Sequence, residues 1–110
     1  MDNAGTIKKI EKYEEKRKTD KIAKYISSAD DEVACAAIAA LGRIGDEVSI
    51  NSVTALIDHE NLAIRKAAIS AIGDIGTEYS KTLLQHRLTT EQDADVKALI
   101  LDMVHKINNK

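Results

Sequence analysis

Two stretches decide the fold: VACAAIAALGRIGD, residues 33–46, and IRKAAISAIGDIGT, residues 64–77. Set over one another at an offset of 31 residues, they agree at seven of fourteen positions: Ala36/Ala67, Ala37/Ala68, Ile38/Ile69, Ala40/Ala71, Gly42/Gly73, Ile44/Ile75 and Gly45/Gly76. Val33/Ile64 and Leu41/Ile72 are conservative matches. Self-similarity at a fixed period of about 20–50 residues marks a repeat architecture. A third, weaker copy, VKALILDMVHKIN, starts at Val96 after one extra residue. It keeps the apolar pattern through Val96, Ile100, Val104 and Ile107 but replaces the two glycines by His105 and Asn108.

Working outward, each copy has an upstream segment in register. Ile22, Tyr25 and Ile26 correspond to Val53, Leu56 and Ile57, and then to Leu84, Arg87 and Leu88. Apolar residues three and four apart mark one helix face, and no segment alternates with the period of two that a strand needs. Asp30, Asn61 and Asp93 each stand three residues before the first apolar anchor of the downstream helix, where a side-chain oxygen caps free N–H groups. Gly45 and Gly76 fall where a left-handed C-terminal cap is wanted, and Asn108 is the next-best residue for that role.

The downstream helix shows why such units must stack. At about 100° per residue, Val33, Ala37, Ala40, Leu41 and Ile44 form one stripe. Beside it Ile38, Ile69 and Leu101 form a second apolar position, making a face wider than one partner helix covers. Gly42 and Gly73 lie inside the helix, where each costs roughly 1 kcal/mol against alanine, so their shared register points to close backbone approach. The expected fold is all-α, a right-handed α-α superhelix of about three hairpins in one domain: residues 19–46, 47–77 and 78–110, with 1–18 as a basic capping helix. Ile7, Ile10 and Tyr13 would form that short helix, with Thr19 or Asp20 opening the first hairpin. A single long helix from Thr6 to Ser28 is the competing reading. A stack of about three units is near the lower limit for stability, which leaves end-to-end homodimerisation open.

Composition narrows the function. Apolar residues make up 44% of the 110, without Phe or Trp, so the core must come from Ala, Ile, Leu and Val. The net charge of −2 hides an asymmetry: from Thr6 to Lys24 eight basic residues face four acidic ones. Lysine and glutamate interleave there at spacings that suit a solvated helix face. Cys35, the one cysteine, has no intrachain disulfide partner. No apolar run approaches the roughly 18 residues of a membrane span, so a cytoplasmic protein is expected.

ALGRIGD, residues 40–46, and IRKAAISAIGDIG, residues 64–76, resemble the short HEAT-like repeats of the phycobilin-lyase (PBS lyase) type, whose pattern has a Val-Arg pair, two alanines and then Ala-Leu-Gly-x-Ile-Gly-Asp. The resemblance covers residues 20–108. It implies an armadillo-like α-solenoid whose downstream helices line a concave surface. It does not fix function, because the same repeat serves lyases, hydroxylases, chaperone-like factors and scaffolds. HEAT-like hydroxylases hold a di-iron centre through His-Glu pairs two and three residues after the repeat's valine; here those positions read Cys35-Ala36, Lys66-Ala67 and Ala98-Leu99.

No metal or catalytic residues and no cofactor are therefore expected. His59-Glu60 falls in a loop without a second copy, and Gly42 and Gly45 follow a helix rather than the strand of a phosphate loop. Cys35 reads as a small packed residue rather than a nucleophile. On the implied concave wall the positions opposite the core stripe are Cys35, Ala39 and Gly42, then Lys66, Ser70 and Gly73, then Ala98, Asp102 and His105. Cys35, Ala39, Lys66, Ser70, Asp102 and His105 are the candidate partner-binding residues. The expected function is a non-catalytic scaffold binding a protein or peptide there. The alternatives are an accessory subunit of a bilin lyase, and nucleic-acid binding through Lys8–Lys24, which the acidic total disfavours. Arg65 and Lys97 are expected to pair with acids of the preceding unit, Arg65 with Asp31.

Overall fold

A computed structural model describes residues 3–109. Among the described residues seven α-helices follow one another: α1 (Asn3–Glu15), α2 (Thr19–Ala23), α3 (Asp31–Ile44), α4 (Glu47–Thr54), α5 (Leu62–Ile75), α6 (Glu78–Thr90) and α7 (Ala94–Asn108). A 3-10 turn over Lys24–Ser27 continues α2, and no strand occurs among the described residues. None of these helices is long and apolar enough to cross a membrane.

Local chemistry sets the helix ends. Asp30, Asn61 and Asp93 each accept hydrogen bonds from two backbone N–H groups of the helix they precede, as the sequence predicted. Gly45 and Gly76 close α3 and α5 with φ of 66° and 66°, the left-handed conformation open to glycine. The third copy departs from the expectation. Asn108 stays helical and Asn109 follows at φ −103°, so α7 has no left-handed cap. Arg17 takes φ 53° directly after α1, and the Lys18 N–H returns to the Tyr13 carbonyl at 2.8 Å. That left-handed turn ends α1 and rules out one continuous helix through to Ser28.

The helices form two rows. α1, α3, α5 and α7 lie side by side, while α2, α4 and α6 pack behind them. The outer row is looser: α2 touches α4, but no Cα of α4 approaches α6 within 8 Å. The inner row is drawn tight by its two internal glycines. A Cβ on Gly42 would lie 2.8 Å from the Ala71 Cα, and one on Gly73 would run into the Met103 side chain. Their recurrence thus answers to helix–helix approach, although alanine would favour the helix itself.

The core runs between the rows. The stripe Val33, Ala37, Ala40, Leu41 and Ile44 is buried, as are Ile22, Val53 and Leu84 from the outer helices. Ile38 and Ile69 are 0% exposed because α5 and α7 cover them, whereas Leu101, at the same register of α7, is 55% exposed. α1 extends the inner row on its other side, placing Ile10 (1% exposed) against this core. Each hairpin therefore hides its second apolar position only beneath a neighbour.

Candidate functional site

The face of the inner row turned away from the outer helices is set by helical period. In α3 the side chains opposite the buried stripe are Glu32, Cys35, Ala39 and Arg43; 31 residues on, in α5, they are Ala63, Lys66, Ser70 and Asp74. In α7 they are Asp95, Ala98, Asp102 and Lys106. Cys35, Ala39, Lys66 and Ser70 are half-buried along the middle of this face, and Asp102 is exposed on its α7 side.

His105 belongs elsewhere. It shares the register of Gly42 and Gly73, which sequence reasoning put on the inner wall but which are buried in the seams between neighbouring helices. No helix follows α7 to make a further seam, so His105 is exposed at that end of the row, its ring nitrogen Nε2 3.0 Å from Asn109 Nδ2.

The ion pairs of this face lie along one rim. Arg43 of α3 forms a two-pronged pair with Glu14 of α1, at 2.7 and 2.8 Å. Asp74 of α5 pairs with Lys106 of α7 at 2.8 Å, and Arg43 also feels the Asp74 charge. The signs alternate along the row: Glu14, Arg43, Asp74, Lys106. The hydrogen bond from Arg43 and its charge outweigh partial burial and hold the Glu14 carboxyl below its ordinary range. At the opposite rim Asn3 donates to Asp30 at 2.7 Å and Asn61 donates to Asp31 at 3.1 Å. These links escaped sequence reasoning, although opposite charges at repeat-equivalent positions 43, 74 and 106 were a readable signal.

Two side chains reach across to a neighbouring unit. Cys35 sends its thiol toward the Ala63 carbonyl at 3.7 Å. Burial, helped by the nearby Asp31, pushes that thiol above its usual pKa, the reverse of what a nucleophilic thiolate requires. Arg65 does not pair with Asp31, which the Asn61 amide occupies. It reaches forward to Glu91 in the loop before α7, at 3.0 Å through Nε and 3.0 Å through Nη2. Arg87 joins the same carboxylate at 3.0 Å. Glu91 is 2% exposed. Burial alone would raise its pKa, but the Asp93 N–H and the two guanidiniums outweigh it and hold the group at about 2.

The basic segment is not part of this wall. Among the described residues the α1 lysines Lys8, Lys9 and Lys12 are exposed and form no ion pair, while the Lys21 ammonium sits 5.7 Å from the Tyr13 ring centre. Nor do three His, Cys, Asp or Glu side chains converge among the described residues.

A tight inner row of helices, a looser outer row, and an internal period of 31 residues together define an α-solenoid. The chain belongs to the HEAT repeat family, whose model matches residues 19–103. Helix α1 lies outside the matched segment. No curated protein matches the chain. HEAT repeats generally serve as protein-interaction scaffolds.

Proposed function

We propose that the chain is a non-catalytic interaction module, with repeat units at residues 19–46, 47–77 and 78–110, that holds a protein segment along its inner row. The segment would lie over Cys35, Ala39, Lys66, Ser70 and Asp102, with His105 at its far end. One observation carries this reading: Cys35, Ala39 and Ser70 leave the middle of the face with small side chains, while Arg43 is paired with Glu14 and Asp74 with Lys106 at one rim. A backbone can therefore approach the helices closely, and Lys66 and Asp102 remain as charges able to orient it.

Within the family we favour the phycobilin-lyase type of repeat, on the ALGRIGD string of residues 40–46. The raised pKa of Cys35 weighs against a thioether anchor for a bilin, and the scaffold reading is preferred to a lyase subunit. One half-buried thiol also suits a reducing cytoplasm.

The test fills the wall without touching the core. Ala39→Arg with Ser70→Arg should abolish capture of a partner that the wild-type chain retains from the native cell, with the helical circular dichroism unchanged. Equal capture by a folded double variant, or turnover of a substrate by the purified chain, refutes the reading.

A further inference from the structure

Helix α1 lies outside the repeat match, and the side it turns toward α2 is set by helical period. Thr6, Lys9, Tyr13 and Lys16 stand three or four residues apart, so they share one side. Two contacts place that side against the next element. The Lys21 ammonium of α2 lies 5.7 Å from the Tyr13 ring centre, and Thr6 borders a cavity together with Lys24 and Tyr25. On the facing element Lys18, Lys21 and Lys24 recur every three residues. Two lysine tracks therefore run beside the α1–α2 seam, and the cavity, about 520 Å³, opens where Lys24 stands. Lys9, Lys12, Lys16, Lys18, Lys21 and Lys24 are all exposed, and none joins an ion pair among the described residues. Acids are fewer here. Glu14 is bound to Arg43, whose guanidinium also feels Glu11, so both belong to the inner-row side of α1. On these two elements that leaves Glu15 and Asp20 against the tracks.

We propose that this end of the solenoid binds a single strand of nucleic acid, its phosphates on the lysines and one base in the cavity beside Tyr25. Lysines at helical spacing repeat positive charge along a line, as a phosphate backbone repeats negative charge. The cavity is walled by the half-buried Tyr25 together with Ala29 and Val33, and an aromatic side chain beside a basic track suits an unpaired base. Asp30, the carboxylate on that wall, decides what enters. It accepts from the Glu32 and Val33 N–H groups and from Asn3 at 2.7 Å. Its charge turns a phosphate away and leaves a neutral base unopposed. A duplex keeps its bases stacked inside and a lipid surface offers none, so neither fills the cavity. No large apolar side chain of α1 is exposed, as a helix lying in lipid would need. The acidic total weighs little against the strand at physiological salt, where charges beyond about 8 Å are screened. The site is separate from the inner face and stands whether or not a protein segment binds there.

The experiment is fluorescence anisotropy of labelled oligo(dT) and oligo(rU) strands titrated with the full chain. Binding of either supports the proposal, and the tighter of the two names the source as DNA or RNA. With about four phosphates engaged, affinity should fall about 50-fold between 50 and 200 mM salt. An abasic strand of the same length, and a duplex, should each bind about tenfold more weakly. Tyr25→Leu, which copies Leu56 at the same register of the next unit, should cost the intact strand about tenfold and the abasic strand nothing. Lys9→Gln with Lys16→Gln should weaken both strands alike and lower the salt slope by about 1.4. An absence of binding at low salt and about 0.1 mM chain overturns the proposal. So does equal affinity for intact and abasic strands, or affinity untouched by the paired lysine substitutions. Tighter binding to the duplex, or to phosphatidylserine vesicles, overturns it as well. If Tyr25→Leu fails to fold, the abasic comparison decides for the cavity.

Discussion

The two seams of the inner row use the same glycine register for different ends. Between α3 and α5, a side chain on Gly42 would meet the Ala71 Cα and Cβ at 2.8 Å and its carbonyl oxygen at 3.2 Å, so backbone lies against backbone. Between α5 and α7, Gly73 faces Met103, a side chain with several rotatable bonds. The first seam has a cavity at its loop edge; the second has Arg65, Arg87 and a buried Glu91. Where backbones touch, close packing holds the spacing together with the neutral Asn61 amide on Asp31. Where a flexible side chain intervenes, a buried ion cluster ties the units instead.

The sharpest way to break this contrast is at Glu91. Glu91→Gln leaves two largely buried guanidiniums without a counter-charge and should cost about 3–5 kcal/mol, read by urea unfolding. Acid should act at the same place. Because the folded pKa is depressed, the stabilisation is fully present above the unfolded value of about 4.5. It should be lost as pH falls toward about 2, amounting to about 3 kcal/mol. A Glu91→Gln chain should lack that part of the profile, and an unchanged profile would mean that other carboxylates drive acid unfolding.

Next come the glycines. Gly42→Ala should destabilise by about 1–3 kcal/mol, since only movement of the α5 backbone makes room. Gly73→Ala should cost less, because Met103 can turn its Sδ and Cγ aside and only its Cβ, 2.9 Å from the new methyl, asks α7 to shift. Equal losses in thermal melts would erase the distinction between the seams. Smallest should be Asp74→Asn, which removes an exposed partner of Lys106. Its cost of about 0.2–1 kcal/mol should vanish in high salt.

How much of this was legible depended on the range of the interaction. The caps Asp30, Asn61 and Asp93 and the glycine turns at Gly45 and Gly76 act over a few residues, and each stood in plain view of the repeat. The seams were half legible: two glycines at one register pointed to close approach, but not to a place inside the seam rather than on the wall. Arg65 was expected to reach back to Asp31, an acid of the preceding unit. The stagger between successive units, which residue spacing does not encode, carries it forward to Glu91 instead. α1 was expected over the open end, yet its alignment with the inner row follows from the left-handed turn at Arg17, and no glycine announced that turn.

The rim of alternating charge has a consequence for how such a chain can lengthen or shorten. Deleting residues 47–77 would set Arg43 beside Lys106, and doubling that hairpin alone would set two copies of Asp74 side by side. Adding or removing hairpins in pairs would keep every contact between opposite signs. The rim thus carries a parity rule, weak at each step but the same at every step, that favours growth by twos.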